Sequence, residues 1–292
     1  MNIQSLWQFS RPHTIMGTTV SIVSLQILAL GLGQTWDRDT WGELLITWIA
    51  CLGANVAIVG VNQIIDVDID RVNKPDLPLP AGLITSHQAW LITAISAVVG
   101  LSLSALADIY LLAVVSLSLL IGFAYSVPPL RWKRYALWAG IAIIAVRGSI
   151  VNLGLFWHFT GRVHLPPVIA MITMFMVIFG LVIALAKDAP DTTGDRAFGI
   201  QTVALGWGAT TVLQGTGWLL TGLYTIGAVV SYGLNAQLLS MGLGVCGLVV
   251  WEQTRRIAST QDLCPQAMKN FYQFIWRMFY VSYGIFPLGL IT

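Results

Sequence analysis

Residues 44–82 read LLITWIACLGANVAIVGVNQIIDVDIDRVNKPDLPLPAG. The first eighteen of these residues carry no charged side chain, and a mostly apolar run of about that length is what a membrane-spanning helix requires. Four aspartates follow directly, at positions 66, 68, 70 and 76. Carboxylates at the end of a hydrophobic helix are costly unless something binds them. The stretch therefore predicts a transmembrane helix that ends in a polar site.

The composition of the whole chain is that of a membrane protein. Of its 292 residues, 56% are hydrophobic and only 10% are charged, whereas soluble domains carry about 25% charged residues. The mean hydropathy is +0.76. A net charge of +2 with dispersed basic residues argues against a nucleic-acid partner. Cys51, Cys246 and Cys264 lack metal-ligand spacing and are interpreted as small apolar residues and one incidental thiol.

Apolar segments recur to the end of the chain, which predicts an all-α integral membrane protein and a single domain over 1–292. A cleaved signal would be one short segment at the N-terminus, so we expect these segments to remain and to span. Reading for stretches of roughly 20 apolar residues gives nine predicted spans, near 14–33, 43–63, 88–107, 109–127, 136–157, 166–186, 209–231, 234–252 and 271–290.

The basic residues orient these spans. Only Arg38 and Arg162 fall in odd-numbered connections, where the acids Asp37, Asp39, Glu43 and Asp108 also lie. Because cytoplasmic loops are enriched in Lys and Arg, this asymmetry predicts a cytoplasmic N-terminus. The basic residues at the N-terminus or in even-numbered connections are Arg11, Arg71, Lys74, Arg131, Lys133, Arg134, Lys187, Arg196, Arg255, Arg256 and Lys269.

The first acidic motif follows the second predicted span. Asn62, Asp66 and Asp70 recur at every fourth position, which places them on one face of a helix. Aligned acceptors would repel one another unless a cation were bound between them. Mg²⁺ suits this set, since it usually binds one or two carboxylates together with waters and substrate phosphate oxygens. Asp68 would point away from that face.

The second acidic motif, KDAPDTTGDRAFG (187–199), follows the sixth predicted span and repeats the spacing of four with Lys187, Asp191 and Asp195. Pro190 and Gly194 weaken the prediction of a regular helix here. Metal with nearby Lys and Arg is a usual means of holding a departing pyrophosphate. The alternative is that both motifs are solvated loop faces, which is the common explanation for a single acidic loop.

Together these motifs resemble those of the UbiA superfamily of intramembrane aromatic prenyltransferases, which carry Asn-x3-Asp-x3-Asp after the second helix and Asp-x3-Asp after the sixth. The stretches 62–82 and 187–202, with FSRPHT (9–14) and VRGSIVNLG (146–154), are most similar to its homogentisate prenyltransferases, above all those that transfer phytyl. The similarity extends over most of the chain. It implies a UbiA-like bundle of about nine helices with cap loops on the cytoplasmic side.

The resemblance also implies a Mg²⁺-dependent reaction. A prenyl group, phytyl in this branch or geranylgeranyl, would pass from its diphosphate to homogentisate with loss of CO₂. The product would be a methyl-prenyl-benzoquinol of tocopherol (vitamin E) biosynthesis. Asn62, Asp66, Asp70, Asp191 and Asp195 would be the catalytic metal-binding residues, and Arg71, Lys74, Lys187 and Arg196 would contact the diphosphate. Many members place a Tyr where this chain has Ile183, so the role of that Tyr cannot be transferred.

Four further residues are candidates for substrate binding. Arg147 lies inside the fifth predicted span, where a charged side chain costs at least ~2.5 kcal/mol and normally faces a cavity or a partner. It would sense a substrate anion near Asn152, or else pair with a helix carbonyl or a buried acid. Arg11 is either a positive-inside anchor or a substrate contact. Tyr125 either shields a cation or anchors the chain at the membrane interface.

Other functions remain open at this point. Within the enzyme class, the alternative is a homogentisate solanesyltransferase or another UbiA-type enzyme of prenylquinone or chlorophyll synthesis. From a different class, an ion-coupled transporter would also place Arg and Asp in a membrane. The acids, however, cluster at one face and not at the midplane. The resemblance further implies a cyanobacterial inner or thylakoid membrane.

Overall fold

The computed structural model describes residues 2–34 and 38–290. Asp37 and the side chain of Arg38, which the charge argument used, lie outside the described residues. The described chain is helical, and its one β-type contact is an isolated bridge between Tyr135 and Gln201. The helices are α1 Ile3–Phe9, α2 Pro12–Gly31, α3 Arg38–Ile65, α4 Val67–Asn73, α5 Ser86–Ala107, α6 Ile109–Ser126, α7 Ala136–Ile143, α8 Val151–Thr160, α9 Pro167–Ala186, α10 Thr192–Ala197, α11 Val203–Trp207, α12 Ala209–Gly233, α13 Gln237–Ala258 and α14 Pro265–Ile285.

Each of the nine predicted spans coincides with a long helix. Six helical segments in the described chain are long and apolar enough to cross a membrane: Pro12–Gly31, Asp39–Ile65, Ser86–Ala107, Ile109–Ser126, Ala136–Thr160 and Pro167–Ala197. The three remaining spans correspond to α12, α13 and α14. The protein is therefore a multi-pass, all-helical membrane protein.

The predicted limits of the last two spans were wrong by about a turn and a half. The span predicted to end at 252 continues as helix to Ala258, and the one predicted to begin at 271 begins at Pro265. Charged residues such as Arg255 and Lys269 ended the apolar windows. Backbone hydrogen bonding continues through them because helix formation does not stop where hydropathy falls.

Small residues bring α3, which leads into the first motif, close to α5. A Cβ at Gly53 of α3 would lie 2.7 Å from the carbonyl oxygen of Ser96 in α5, and one at Gly100 would lie 2.9 Å from the carbonyl oxygen of Ala50. Such close backbone approach is characteristic of helix pairs in membranes, where van der Waals contact and not the hydrophobic effect drives association.

The fifth span is one continuous helical segment with a change of pitch. A π-helical turn, Ile144–Ile150, joins α7 to α8. Gly148 allows this turn to lie against α9, because a Cβ there would be 2.7 Å from Cα of Val177. Turns of this kind are rare and are often found at functional sites.

The connections sort to two ends of the bundle. At the end opposite the acidic motifs, the buried His158 bonds to Asp108, which caps α6, and lies 2.7 Å from Thr47 Oγ1. These contacts join α3, α6 and α8. The N-terminal segment, the connection after α6 and the two acidic motifs meet at the other end.

Candidate functional site

The first motif has the predicted helical register even though α3 and α4 are separate helices. The amide of Asp66 donates to the carbonyl of Asn62 (3.0 Å), that of Asp70 to Asp66 (2.8 Å), and that of Lys74 to Asp70 (2.7 Å). The Asn62 amide group also donates to Asp66 Oδ2 at 3.0 Å. The motif side chains therefore follow one another along one face, while Asp68 is exposed on another.

The second motif folds less regularly, as Pro190 and Gly194 suggested. After α9 the chain forms a 3₁₀ turn, Ala189–Asp191, and then the short helix α10. Asp195 is buried at 6% exposure in α10. Asp191 stands at the junction of the two elements, so this motif is presented by a bend and not by a continuation of the sixth span.

The two motifs are in direct contact. Lys74 Nζ forms an ion pair with Asp191 Oδ2, and the amide of Gly194 donates to Asn73 Oδ1 at 2.8 Å. The junction is tight, because a Cβ at Gly194 would lie 2.6 Å from the Asn73 side chain. We call this end of the bundle, formed by Asp66, Asp70, Lys74, Asp191 and Asp195, the mouth.

Two further segments supply cations to the mouth, and two of these cations, Arg131 and Lys133, were not predicted as site residues. From the connection after α6, Lys133 ion-pairs with Asp66, and Arg131 lies 3.5 Å from the same carboxylate. From the N-terminal segment, Arg11 lies 3.9 Å from Asp70 Oδ2. The signal that could have identified Lys133 and Arg131 is their place in an even-numbered connection, on the same side as both motifs.

Both of these arginines have unusual backbone conformations. Arg11 has φ 56° and Arg131 has φ 38°, in the left-handed region that residues other than glycine rarely occupy. Among the described residues, only one other non-glycine residue, Asn235, has a positive φ. Strained backbone of this kind often lies at functional sites. Here both cases place a guanidinium beside an aspartate of the first motif.

Burial determines the electrostatics of the mouth. It raises the pKa of Asp70 above the usual value for an aspartate, and Lys74 and Arg11 act in the opposite direction. Burial likewise lowers the pKa of Lys133, which Asp66 opposes. The buried Asp70 Oδ2 has no hydrogen-bond partner in the described part of the chain. An oxygen in this situation fits a ligand to a cation.

The mouth fits Mg²⁺ as an incomplete set of ligands. Among the described residues, no three Asp, Glu, His or Cys side chains are grouped closely enough to hold a metal by themselves. Mg²⁺ does not need such a cage, because it retains waters and binds substrate phosphates alongside one or two carboxylates. The residues that could hold it are Asn62, Asp66, Asp70, Asp191 and Asp195.

A cavity of about 290 Å³ lies directly beneath the mouth. Its upper lining includes Arg11, Asn62 and Lys187. It reaches Cys51, eleven residues before Asn62 on α3, which is a depth of about 16 Å at ~1.5 Å per helical residue. Its lower walls are mainly apolar: Cys51, Ala54, Val114, Val115 and Leu155. A molecule with a charged head and an apolar tail matches this change from polar to apolar walls.

Several predicted substrate-binding residues do line this cavity. Arg11, Tyr125, Arg147 and Lys187 all contribute to its wall. Lys187 ion-pairs with Asp188 and stands 5.9 Å from the centre of the Tyr125 ring. The cation next to Tyr125 is therefore a lysine of the second motif.

Three other predicted site residues, Asn152, Arg71 and Arg196, do not line the cavity. Asn152 is wholly buried behind the wall and bonds to the π turn and to Tyr283, a placement that does not support contact with substrate. Arg71 is exposed and pairs with Asp68 at 2.6 Å, a placement that does not support contact with a diphosphate. Arg196 is exposed beside Asp195, and its role stays a prediction.

Comparisons with known proteins agree with this geometry. A model of the UbiA prenyltransferase family matches residues 14–279. The chain is 41% identical to homogentisate phytyltransferase of Synechocystis sp., with 99% of this chain and 96% of that relative covered. It is 34% identical to homogentisate geranylgeranyltransferase of Triticum aestivum, with 98% and 72% covered. A solved UbiA homologue of Archaeoglobus fulgidus, bound to GPP and Mg²⁺, superimposes with a TM-score of 0.62 at 15% identity, covering 97% of this chain and 99% of that chain.

The chain belongs to the UbiA prenyltransferase family. This confirms the resemblance inferred from the two acidic motifs and identifies the protein as a membrane-bound aromatic prenyltransferase. The structural likeness supports the fold, and the sequence relatives are prenyltransferases that act on homogentisate.

Proposed function

We propose that the protein transfers a prenyl group, phytyl in preference, from its diphosphate to homogentisate, as the first prenylation of tocopherol synthesis. The observation that carries this proposal is the contact of the two acidic motifs, through Lys74 and Asp191, over an apolar cavity. The similarity to homogentisate phytyltransferase over nearly the whole chain supports both substrates.

The diphosphate head would lie in the mouth. Mg²⁺, when bound by Asn62 and the four motif aspartates, would supply the charge neutralisation that lets pyrophosphate leave. Lys74, Lys133 and Arg131 are paired with motif aspartates and would contact the phosphates bound beside those aspartates. Charge-assisted contacts from such residues strengthen as negative charge develops on the leaving group.

The prenyl tail would occupy the cavity. Its apolar walls bury the tail and keep water from the allylic cation, which forms as the carbon–oxygen bond to diphosphate breaks. Tyr125 and Trp276 line this space beneath the mouth, and their ring faces favour a neighbouring positive charge. No protein nucleophile is required.

The ring of homogentisate then attacks the allylic carbon. A carbon–carbon bond forms, CO₂ leaves from the side chain, and the displaced ring proton ends on the remaining side-chain carbon. The products are pyrophosphate, CO₂ and a methyl-prenyl-benzoquinol.

The finer architecture belongs to the same proposal. All nine long helices would span the membrane, with the mouth and its four connecting segments on the cytoplasmic side, together with the N-terminus. The distribution of Lys and Arg supports this orientation. A photosynthetic membrane is proposed on the strength of the Synechocystis relative.

The test is a competition assay. Purified protein would receive homogentisate and Mg²⁺ with equal phytyl, geranylgeranyl and solanesyl diphosphates. We expect prenylated quinol, phytylated in excess, and none after chelation with EDTA. Excess solanesyl product would favour the longer-chain alternative. Absence of any product, with pH-dependent uptake into vesicles instead, would favour a transporter.

A further inference from the structure

Arg147 is a cation placed among aromatic rings beneath the mouth. Its guanidinium carbon lies 4.8 Å from the centre of the Trp276 ring, and the side chain lines the cavity. None of the ion pairs in the described part of the chain involves Arg147. A guanidinium within a membrane-spanning helix normally faces a partner, so the missing partner is expected to be a bound anion.

The π turn sets the position of this side chain. Asn152 donates its side-chain amide to the carbonyl oxygens of Arg147 (3.0 Å) and Gly148 (2.7 Å). Its Oδ1 accepts a hydrogen bond from the hydroxyl of Tyr283 at 2.8 Å. Asn152 thus satisfies carbonyls that the change of pitch displaces and ties the turn to α14, the helix that carries Trp276.

The guanidinium carbon of Arg147 lies over the Trp276 ring, and the side chain lines the cavity. An arginine that stacks on an aromatic face can still donate two parallel hydrogen bonds in its own plane to a carboxylate. The ring of His13, from α2, also packs against Trp276 in an edge-type contact, with ring centres 4.9 Å apart. Trp276 is therefore fixed between two helices and holds the arginine in turn.

The diphosphate is not the best match for this cation. The mouth already provides Arg11, Lys74, Arg131 and Lys133, each beside an aspartate that would hold metal. Arg147 is placed instead among Trp276, Tyr272 and Tyr283, which line the same cavity. One planar cation among rings matches a flat aromatic acid.

We propose that Arg147 binds the carboxylate of the aromatic acceptor, and that Asn152 and Tyr283 act as positioning residues by holding the π turn that presents it. This inference rests on the proposed function, since it assigns a residue to the acceptor of that reaction. It gives the enzyme a means of selecting acidic acceptors and of orienting the ring beneath the allylic carbon.

The test separates the Michaelis constants of the two substrates. Membranes carrying Arg147→Gln should show a KM for homogentisate raised about tenfold or more, the cost of losing a hydrogen bond to a charged group. The KM for phytyl diphosphate should stay within twofold of wild type. Arg147→Lys should recover part of the loss, because it restores charge without the planar fork. Tyr283→Phe should raise the homogentisate KM in the same direction by a smaller factor.

Two controls complete the design. Arg277→Gln removes an exposed arginine from the same helix as Trp276 and should leave both constants unchanged. Homogentisate methyl ester, used as a competitive inhibitor, should have the same inhibition constant in wild type and Arg147→Gln. The inference would be overturned if Arg147→Gln changed the KM values for homogentisate and phytyl diphosphate equally, or lowered kcat alone. It would also be overturned if the methyl ester lost affinity together with homogentisate. Failure of the wild type to prenylate homogentisate would instead reject the proposed function.

Discussion

Lys74 and Asp191 form an ion pair across 117 residues of sequence and join the two acidic motifs. The pair shows that the motifs share one site. It also pairs Lys74 with a carboxylate that, under the proposed function, would bind metal. Binding of a diphosphate with metal would therefore exchange partners, with Asp191 turning to the metal and Lys74 to the phosphates.

The junction between the motifs should be sensitive to a single methyl group. Gly194→Ala would place its Cβ 2.6 Å from the Asn73 side chain and break the hydrogen bond from the Gly194 amide. We expect prenyl transfer to fall about tenfold or more, since small misplacements at a reacting site have large effects. Gly215→Ala is the control, because a Cβ at that glycine meets nothing within 4 Å. Equal activity of the two variants would show that the junction does not shape the site.

Substitution of the motif aspartates should reduce the transfer rate far more than substitution of their exposed neighbour Asp68. Asp66→Asn and Asp191→Asn each remove a carboxylate from the mouth, and we expect a loss of about 10²-fold or more in transfer rate, as for other electrostatic groups at reacting centres. Asp68→Asn changes an exposed residue paired with Arg71 and should retain near wild-type activity. Assays in membranes at saturating Mg²⁺ would compare them. If Asp68→Asn were as inactive as the other two, the face assignment would be wrong.

Lys133 is predicted to act on the diphosphate. Lys133→Gln removes the buried cation beside Asp66, so the KM for prenyl diphosphate should rise about tenfold while that for homogentisate stays close to wild type. The neighbouring Arg134 is exposed, and Arg134→Gln serves as the matched control. A higher KM for homogentisate alone in Lys133→Gln would contradict this assignment.

Cavity depth should determine tail length. Cys51 lies about three helical turns below Asn62 on α3, so Cys51→Leu would shorten the space open to the tail. We expect the ratio of kcat/KM for geranylgeranyl diphosphate over farnesyl diphosphate to fall several-fold. Cys264→Leu, which changes an exposed cysteine, should not alter the ratio. An unchanged ratio in Cys51→Leu would mean that the tail leaves the cavity above this level.

The long helices were predictable because an apolar run of spanning length indicates a helix in a membrane. Each apolar window coincides with a helix, and only where charge enters a helix, as at Arg255 and Lys269, were the limits misjudged. The register of the first motif was also readable, since a spacing of four has one meaning on a helix. These features depend on local sequence.

The rest of the site depends on tertiary contacts that no local pattern encodes. Lys133 and Arg131 lie next to Asp66 because the connection after α6 folds over the mouth, and their spacing carries no motif. The position of Asn152 behind the cavity wall could not be inferred from its place near Arg147 in the same span. The π turn directs Asn152 toward backbone carbonyls instead, and such a change of pitch has no recognised signature in the sequence.

The separation of the two motifs along the chain also bears on biogenesis. Asp191 leaves the ribosome more than a hundred residues after Asp66. A nascent chain that has inserted only its first five spans therefore lacks Asp191 and Asp195, the second-motif residues of the mouth. Under the proposed function, such a chain would not ionise an allylic diphosphate and would release no reactive cation into an unfinished protein. Competence would thus be reached only after the sixth span, α9, has entered the bilayer and the segment that follows it has folded back onto α4.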